Sequence, residues 1–260
     1  MNVLIFITFN CNNKCPYCWQ RGDEELKKYP MHDGKEWYKA LSENFEDDWI
    51  DFTGGEPSVV KDFFPMIGLL SKKNMISMTT NLTFDVEKLS HVEKGKLNSL
   101  TCSLHPTQKM ETLEFFEKVE RAKEYANGTA INFVMYPPQM GDMDKYEMMA
   151  EKIDVRFHKD PCSGYDYTEE EKEIVFGTVG KDRKPLEKMQ VLCTAGSDHC
   201  VIYPDGSVRT CLRKSTKLGN IFDVTFKKLD MAMMCGVRHE CAGCDRDKVK
   251  MYDLEGHELP

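Results

Sequence analysis

The segment Val3-Leu-Ile-Phe-Ile-Thr-Phe9 runs almost directly into Cys11-Asn-Asn-Lys-Cys15-Pro-Tyr-Cys18. The apolar run predicts a buried strand, and the closely spaced thiols predict a loop that wraps them around one metal centre. Structural zinc sites close with four protein ligands, so three thiolates suit zinc poorly. A cubane iron–sulfur cluster on three cysteines would instead keep one iron open for a ligand that the chain does not supply.

The overall composition is typical of a globular protein with reduced thiols. Of 260 residues, 41% are apolar and 30% are charged, and the net charge of −8 gives no electrostatic reason to bind nucleic acid or an anionic membrane. The apolar run is too short to span a membrane and lacks the basic region and cleavage site of a signal peptide. Eleven cysteines in such a chain are more typical of metal ligands than of disulfides. We therefore expect a cytoplasmic protein with no nucleic-acid or membrane partner.

Short β-rich runs alternate with helical patterns over the first ~160 residues, which predicts βα units around a parallel sheet. The predicted strands are Val3–Phe9, Trp49–Phe52, Ile76–Thr80, Ser99–Leu104, Ala130–Met135 and Val155–His158. The predicted helices are Gly34–Phe45, Val60–Lys73, Asp85–Lys94, Met110–Asn127 and Met143–Lys152. We therefore expect an α/β fold, a partial (β/α)6 barrel or a full one, although spacing alone also fits a doubly wound sheet.

Polar or charged residues follow all six predicted strands, at the sheet edge where such folds place their chemistry. They are the cysteine triad, Thr53-Gly-Gly-Glu-Pro57, Thr79-Thr-Asn81, Ser103-Leu-His105-Pro106, Tyr136-Pro-Pro138 and Arg156-Phe-His158. The two glycines before Glu56 would let the backbone approach a ligand closely, and the carboxylate could accept a hydrogen bond from an ammonium group. One site at this edge is the simplest interpretation.

The spacing Cys-x3-Cys-x2-Cys, with Tyr17 before the third cysteine, resembles the signature of the radical SAM superfamily. The Gly-Gly-Glu-Pro segment after the second strand resembles a further motif of that family. The resemblance implies a 4Fe-4S cluster on Cys11, Cys15 and Cys18, with its open iron chelated by S-adenosylmethionine. The implied contacts to that cofactor are Gly54, Gly55, Glu56, Pro57, Asn81 and Ser103, with Glu56 on the amino group. The family's glycine motif on the fifth strand is not visible here, so the residues that hold the adenine stay open.

Six more cysteines lie in the last quarter of the chain: Cys193, Cys200, Cys211, Cys235, Cys241 and Cys244. Residues 200–211 predict a hairpin, because Pro204-Asp-Gly206 supplies a turn between β-forming residues. A short helix is expected near Phe226–Met234. The composition shift predicts a core domain at 1–185 and a small iron–sulfur domain, a hairpin plus a helix, at 186–260.

The run Cys193-x12-Gly-x4-Cys211 resembles the opening of the auxiliary-cluster domain called SPASM or, when shortened, twitch. The resemblance implies a second 4Fe-4S cluster, with the ligands Cys193, Cys211, Cys241 and Cys244. The same four thiols would also suit a structural zinc ion. Cys200 could replace Cys193, and Cys235 could replace Cys241.

The family resemblance implies that a flavodoxin- or ferredoxin-type reductant drives cleavage of S-adenosylmethionine and that the resulting 5′-deoxyadenosyl radical takes a hydrogen atom from the substrate. An auxiliary cluster could then accept an electron, so we expect two-electron oxidation of a small polyol or sugar-like substrate. The short twitch dehydrogenases of aminocyclitol and sugar pathways are similar. His105, Arg156 and His158 are candidate proton acceptors.

Two alternatives stay open. The first is peptide modification by crosslinking or epimerisation, for which Cys162 is the candidate hydrogen-atom donor. Only ten residues precede Cys11, which favours a small-molecule substrate over a peptide that needs a fused recognition domain. The second alternative is a non-catalytic iron–sulfur electron carrier, which the open ligand position and Glu56 argue against.

Overall fold

The computed structural model describes residues 1–20, 22–178, 191–212, 216–223, 226–235 and 249–258. Within these ranges the strands are β1 (Asn2–Thr8), β2 (Trp49–Gly54), β3 (Met75–Thr80), β4 (Leu97–Leu104), β5 (Gly128–Met135), β6 (Arg156–Pro161), β7 (Leu192–Cys193), β8 (His199–Ile202), β9 (Ser207–Arg209), β10 (Lys217–Asn220), β11 (Met233–Met234) and β12 (Met251–Tyr252). The α-helices of the same ranges are α1 (Gly34–Asn44), α2 (Phe63–Leu70), α3 (Thr112–Ala122), α4 (Met143–Lys152) and α5 (Glu169–Thr178). The six strands predicted for the core are therefore confirmed.

Strands β1 to β6 lie side by side in chain order, and all their pairings are parallel. A doubly wound sheet would reverse its strand order at a switch point. The sequential order excludes that alternative, and it is the strand order of a partial (β/α)6 barrel. The α/β fold class is confirmed.

The predicted hairpin is present as β8 and β9, and it extends the core sheet. β8 pairs in parallel with β1, with Asn2 opposite His199, while β9 and β10 follow as antiparallel strands. In the described ranges this gives a nine-stranded sheet with β10 and β6 at its edges. A separate three-stranded sheet has the order β11-β7-β12.

Two predicted helices are wrong. Residues Val86–His91 form a 3-10 helix in place of an α-helix over Asp85–Lys94, because the buried residues Val86, Leu89 and Val92 recur every three positions, the period of a 3-10 helix. Residues 226–235 are not helical, since their backbone N–H groups bond to distant carbonyls, as at Leu229 to Gly196 (3.0 Å). No helix in the described ranges is both long and apolar enough to cross a lipid bilayer.

The two faces of the core sheet differ in polarity. Along β4, Leu100, Cys102 and Leu104 are buried in the main hydrophobic core, while Thr101 and Ser103 on the opposite face are only half-buried. The same alternation holds along β5 and β6, because successive side chains of a strand point to opposite faces. One face is therefore packed, and the other is left open for a site.

Candidate functional site

A cavity of about 630 Å³ lies at the carboxyl ends of the core strands. The predicted site residues that line it are Cys11, Cys15, Cys18, Gly54, Gly55, Asn81, Ser103 and His105. The predicted residues outside its lining are Glu56, Pro57, Arg156, His158 and Cys162. Sequence reasoning did not find the lining residues Trp19, Gln20, Asn132 and Asp160. The thiols and the motif glycines thus meet at one place, as the argument from strand ends predicts.

The three thiols of the triad share one tight loop. Cys15 is buried, and burial raises the pKa of its thiol to about 11, with a further increase from the neighbouring Cys11 and Cys18. Their sulfur atoms do not all lie within 4.8 Å of one another. Among the potential metal ligands of the described residues, only a surface group has that spacing: the half-buried Asp253 and the exposed Glu255 and His257. Ligands of a single ion must lie that close, whereas each cysteine of a cubane binds a different iron. In the described residues, the three thiols are therefore not drawn together around a single ion.

Side chains from the neighbouring strand ends hold this cysteine loop in place. The Lys14 backbone N–H donates to the Gln108 side chain at 2.8 Å, and the Gln20 side chain donates to the Gly54 carbonyl at 3.0 Å. The Tyr17 hydroxyl and His105 Nδ1 lie 2.8 Å apart. The loop is thereby fixed from both ends before any ligand binds.

Gly54 and Gly55 are required by the protein backbone itself. The Gly55 N–H donates to the Thr8 carbonyl at 2.8 Å. A Cβ at Gly54 would lie 2.1 Å from the Thr8 oxygen, and one at Gly55 would lie 2.2 Å from the Asn10 oxygen. The close approach that calls for glycine is therefore between the end of β2 and the start of the cysteine loop, and both glycines also line the cavity.

Glu56 is fully buried beneath this edge and does not reach the cavity lining. Its carboxylate accepts hydrogen bonds from the Thr80 hydroxyl (2.8 Å), the Asn81 backbone N–H (2.7 Å) and the Ser58 backbone N–H (3.1 Å). Burial raises the pKa of Glu56, and these hydrogen bonds oppose the rise. The carboxylate is thus occupied by the end of β3, and its predicted contact to an ammonium group stays a prediction.

Asn81 connects the end of β3 to the cysteine loop. Its side-chain oxygen accepts from the Thr83 backbone N–H (3.1 Å) and the Thr83 hydroxyl (2.6 Å). Its side-chain nitrogen faces the loop, 2.9 Å from the Asn12 side-chain oxygen and 3.8 Å from the Cys11 sulfur. The next residue, Leu82, is buried with a φ of 56° and donates its N–H to the Thr80 hydroxyl at 3.1 Å.

The cavity has an aromatic wall and a polar wall. Trp19, which is 57% exposed, packs edge-on against Phe6 and Phe9. On the other side Ser103 pairs in register with Asn132, whose side-chain oxygen is buried without a hydrogen-bond partner among the described residues. A buried acceptor of this kind is costly to leave unpaired, so it marks a place where a ligand can donate a hydrogen bond.

The candidate proton acceptors differ in position. Arg156 and His158 are exposed on β6, and they do not lie at its end as predicted, because β6 continues to Pro161 and brings Asp160 to the cavity instead. Cys162 packs in the hydrophobic core, and its backbone N–H donates to the Tyr167 hydroxyl at 2.6 Å.

His105 lines the cavity, and burial lowers its pKa to about 4. Its ring is therefore neutral at pH 7. A proton acceptor works best with a pKa near the operating pH, so His105 is a weak base. Its contact with Tyr17 suits it to holding the cysteine loop.

We expect His105 to make the apo protein less stable as the pH falls from 6.5 to 4. The unfolded state binds a proton at a histidine below about pH 6.5, and the folded state does so only below about pH 4, so the free energy of unfolding falls through this window by up to about 3 kcal/mol. Urea unfolding at several pH values measures it. The variant His105→Asn should show a shallower pH dependence, and equal slopes for the two proteins would contradict this assignment.

The predicted auxiliary ligands are only partly within the described residues. Cys193 is buried on β7, Cys211 follows β9, and Cys241 and Cys244 lie outside the described residues. Cys200 is packed in the main core, where burial raises its thiol pKa. Met233 of β11 pairs with Cys193, and the Cys235 N–H donates to the Val191 carbonyl at 2.9 Å. Because residues two apart share a face of a strand, Cys235 lies on the same face of the small sheet as Cys193.

Comparison with known sequences gives relatives for the first part of the chain. Residues 5–107 match the family model of the Radical SAM superfamily. A probable GTP 3′,8-cyclase of Methanocella arvoryzae is 28% identical over 103 residues, which cover 40% of this chain and 34% of that protein. A probable GTP 3′,8-cyclase of Aeropyrum pernix is 29% identical over 133 residues, which cover 47% of this chain and 36% of that protein. The matches span about a third of each relative's length.

Among solved structures, SuiB of Streptococcus suis has a similar fold. Its structure bound to the precursor peptide SuiA gives a TM-score of 0.59 at 15% identity, covering 86% of this chain and 63% of that chain. Its structure bound to S-adenosylmethionine gives a TM-score of 0.58 at 14% identity, covering 86% of this chain and 62% of that chain. At these identities the likeness shows the fold alone, and this chain covers less than two thirds of SuiB.

The matched residues 5–107 contain the cysteine triad, the Gly-Gly-Glu-Pro segment and Asn81. The three thiols, both glycines and Asn81 line the cavity at the ends of the parallel strands, and the Glu56 carboxylate supports Asn81 from beneath. The part of the chain that matches the Radical SAM superfamily model, residues 5–107, therefore carries most of the predicted residues that line this cavity.

Proposed function

We propose that this protein is a radical SAM enzyme that holds a 4Fe-4S cluster on Cys11, Cys15 and Cys18 and S-adenosylmethionine beside it. The observation that carries the proposal is the convergence of the triad, the motif glycines and Asn81 on one cavity. When bound, the cluster and its cofactor would supply a 5′-deoxyadenosyl radical that removes hydrogen from a substrate carbon.

The donors around the cavity fit these groups. Three thiols around a cubane would leave one coordination position for a ligand from outside the protein, and all three line the cavity. The buried Asn132 oxygen can accept a hydrogen bond from a ligand hydroxyl or amine. Ser103 lies beside it in the sheet register, so the pair can orient a polar group at the open face of β4 and β5. A cavity of about 630 Å³ is within the usual range of ligand pockets.

The proposed substrate is a small polyol or sugar-like molecule that loses two electrons. Its support is the polar wall, since Asp160, Asn132 and Ser103 can all accept hydrogen bonds from hydroxyl groups. The proposal divides the chain into a core at 1–185 and a twitch-type domain at 186–260, with an auxiliary 4Fe-4S cluster on Cys193, Cys211, Cys241 and Cys244 as electron acceptor. Cys235 stays an alternative ligand because it shares a face with Cys193.

A peptide substrate is the second candidate. It is favoured by the fold likeness to SuiB in complex with the precursor peptide SuiA. The polar wall would then face peptide groups, and the exposed Trp19 would pack against an apolar side chain. An epimerase would also need a hydrogen-atom donor at the cavity, and Cys162 faces the core instead.

A flavodoxin- or ferredoxin-type protein is the proposed reductant, and the proposed location is the cytoplasm. Cys11 is exposed, so one edge of the cysteine loop is accessible to a protein partner. Nothing in the charge of the chain, −8 overall, favours nucleic acid as a partner.

Anaerobic reconstitution tests the proposal. We expect about eight iron atoms per chain, because each of two cubanes holds four. Dithionite and S-adenosylmethionine should then yield 5′-deoxyadenosine. A content of about four iron atoms per chain, together with bound zinc, would contradict the proposed auxiliary cluster. If no reductant led to cleavage of S-adenosylmethionine, a non-catalytic electron carrier would be the better interpretation.

Reaction in deuterated water separates the proposed reactions once a substrate is in hand. An epimerase returns a hydrogen atom that exchanges with solvent, so its product carbon gains deuterium. A dehydrogenase gives a ketone with no such incorporation. A product that carries solvent deuterium at the reacting carbon would therefore overturn the proposed oxidation.

A further inference from the structure

The side-chain amide of Asn81 has a fixed orientation. The Thr83 backbone N–H can only donate a hydrogen bond, so the Asn81 atom that it contacts at 3.1 Å must be the oxygen. The amide nitrogen is then the atom that faces the cysteine loop. It lies 2.9 Å from the Asn12 oxygen and 3.8 Å from the Cys11 sulfur, so its two hydrogens have two acceptors.

The backbone that carries Asn81 is held by Glu56. The carboxylate accepts from the Asn81 N–H at 2.7 Å and from the Thr80 hydroxyl at 2.8 Å. The same Thr80 oxygen accepts from the N–H of Leu82, whose positive φ is unusual for a branched residue. A buried carboxylate with these partners fixes the turn, because it satisfies the N–H that the turn would otherwise leave unpaired.

A hydrogen bond to a cysteine sulfur withdraws electron density from an iron–sulfur cluster. It therefore stabilises the reduced, more negative state and raises the reduction potential. We propose that Asn81 donates such a bond to Cys11 and so raises the potential of the triad cluster, and that Glu56 is a positioning residue for Asn81 rather than a ligand of S-adenosylmethionine. This inference rests on the proposed function, since it needs a cluster on the triad.

The test is an EPR-monitored redox titration without S-adenosylmethionine. The triad signal is the one that Cys15→Ser abolishes. Asn81→Asp keeps an oxygen that can accept the hydrogen bond from Thr83, but it loses the N–H donor to the Cys11 sulfur. We therefore expect a more negative midpoint potential than in the wild type. Asn81→Ala should shift in the same direction by a smaller amount, because it adds no charge. The matched control is Cys162→Ser, which changes a side chain in the hydrophobic core outside the cavity lining and should leave the potential unchanged.

Binding of S-adenosylmethionine separates the two roles of Glu56. If Glu56 only positions Asn81, Glu56→Gln should shift the potential in the same direction as Asn81→Asp and change the Kd for S-adenosylmethionine by less than about threefold. Unchanged potentials in both Asn81 variants would overturn the inference. So would a Kd about tenfold weaker in Glu56→Gln at an unchanged potential. A wild-type protein that binds no cluster on the triad would instead refute the proposed function.

Discussion

Cys15→Ser should lower the iron content of the reconstituted protein by about four atoms per chain, and it should abolish formation of 5′-deoxyadenosine. Cys15 is the buried member of the triad, on a loop fixed at Lys14, Tyr17 and Gln20. A serine hydroxyl is a poor ligand for iron, and the rigid loop has no other thiol to offer. Iron determination and chromatography of the cleaved cofactor measure the two effects.

The matched control is Cys162→Ser, which changes a buried thiol that packs in the core and does not line the cavity. It should keep its iron and its cleavage activity, at a modest loss of stability. Equal iron content in Cys15→Ser and the wild type would show that the triad holds no cluster. Loss of iron in both variants would point to general unfolding, which circular dichroism of the two proteins detects.

Gly55→Ala should lower the free energy of unfolding by about 3 kcal/mol. The new Cβ would meet the Asn10 oxygen at 2.2 Å and the Phe9 oxygen at 2.7 Å, and both are backbone atoms that cannot rotate away. Relief of the clash requires the cysteine loop to move away from β2. The variant should therefore also bind less iron than the wild type. Urea unfolding of the apo protein gives the first effect.

Gly141→Ala is the control for that measurement. A Cβ at Gly141 meets nothing within 4 Å, and its φ is not in the left-handed region. We expect a change within about 0.5 kcal/mol. If Gly55→Ala were as stable as this control, that result would contradict the close contact between Gly55 and the Asn10 carbonyl.

The core strands were predictable because their apolar runs coincide with the packed face of the sheet. The predicted 76–80 and the observed Met75–Thr80 differ by one residue. At Val86–His91, the buried residues Val86 and Leu89 are three positions apart, which a 3-10 helix places on one face, so the α-helix predicted there does not form. The helix predicted near Phe226–Met234 is absent for another reason. Backbone N–H groups of residues 226–235 donate to carbonyls that are distant in sequence, so local helix propensity does not decide their conformation.

For the candidate site, the motifs identified the residues but not the direction of each side chain. The triad spacing predicts a thiol loop, and the structure has one. The motif alone could not reveal that Glu56 turns inward to β3, because that depends on how closely Gly54 and Gly55 pack on β1. Asp160 was missed because the sixth strand was predicted to end at His158, whereas β6 continues for three more residues to Pro161.

The neighbours of β1 have a consequence for the order of events during synthesis. β1 is paired on both sides, with β2 and with β8. On the β8 side, the Asn2 backbone N–H donates to the Asp198 carbonyl at 2.7 Å, and a His199 ring nitrogen lies 3.1 Å from the Asn2 carbonyl. Asn2 and His199 are 197 positions apart in the chain. Pairing β1 with β8 therefore closes a long loop, which is slow because of its entropic cost. While the chain emerges from the ribosome, the strand that leads into Cys11 keeps one edge open until residues 199–202 are made. Assembly of a metal centre at its end should therefore follow translation rather than accompany it.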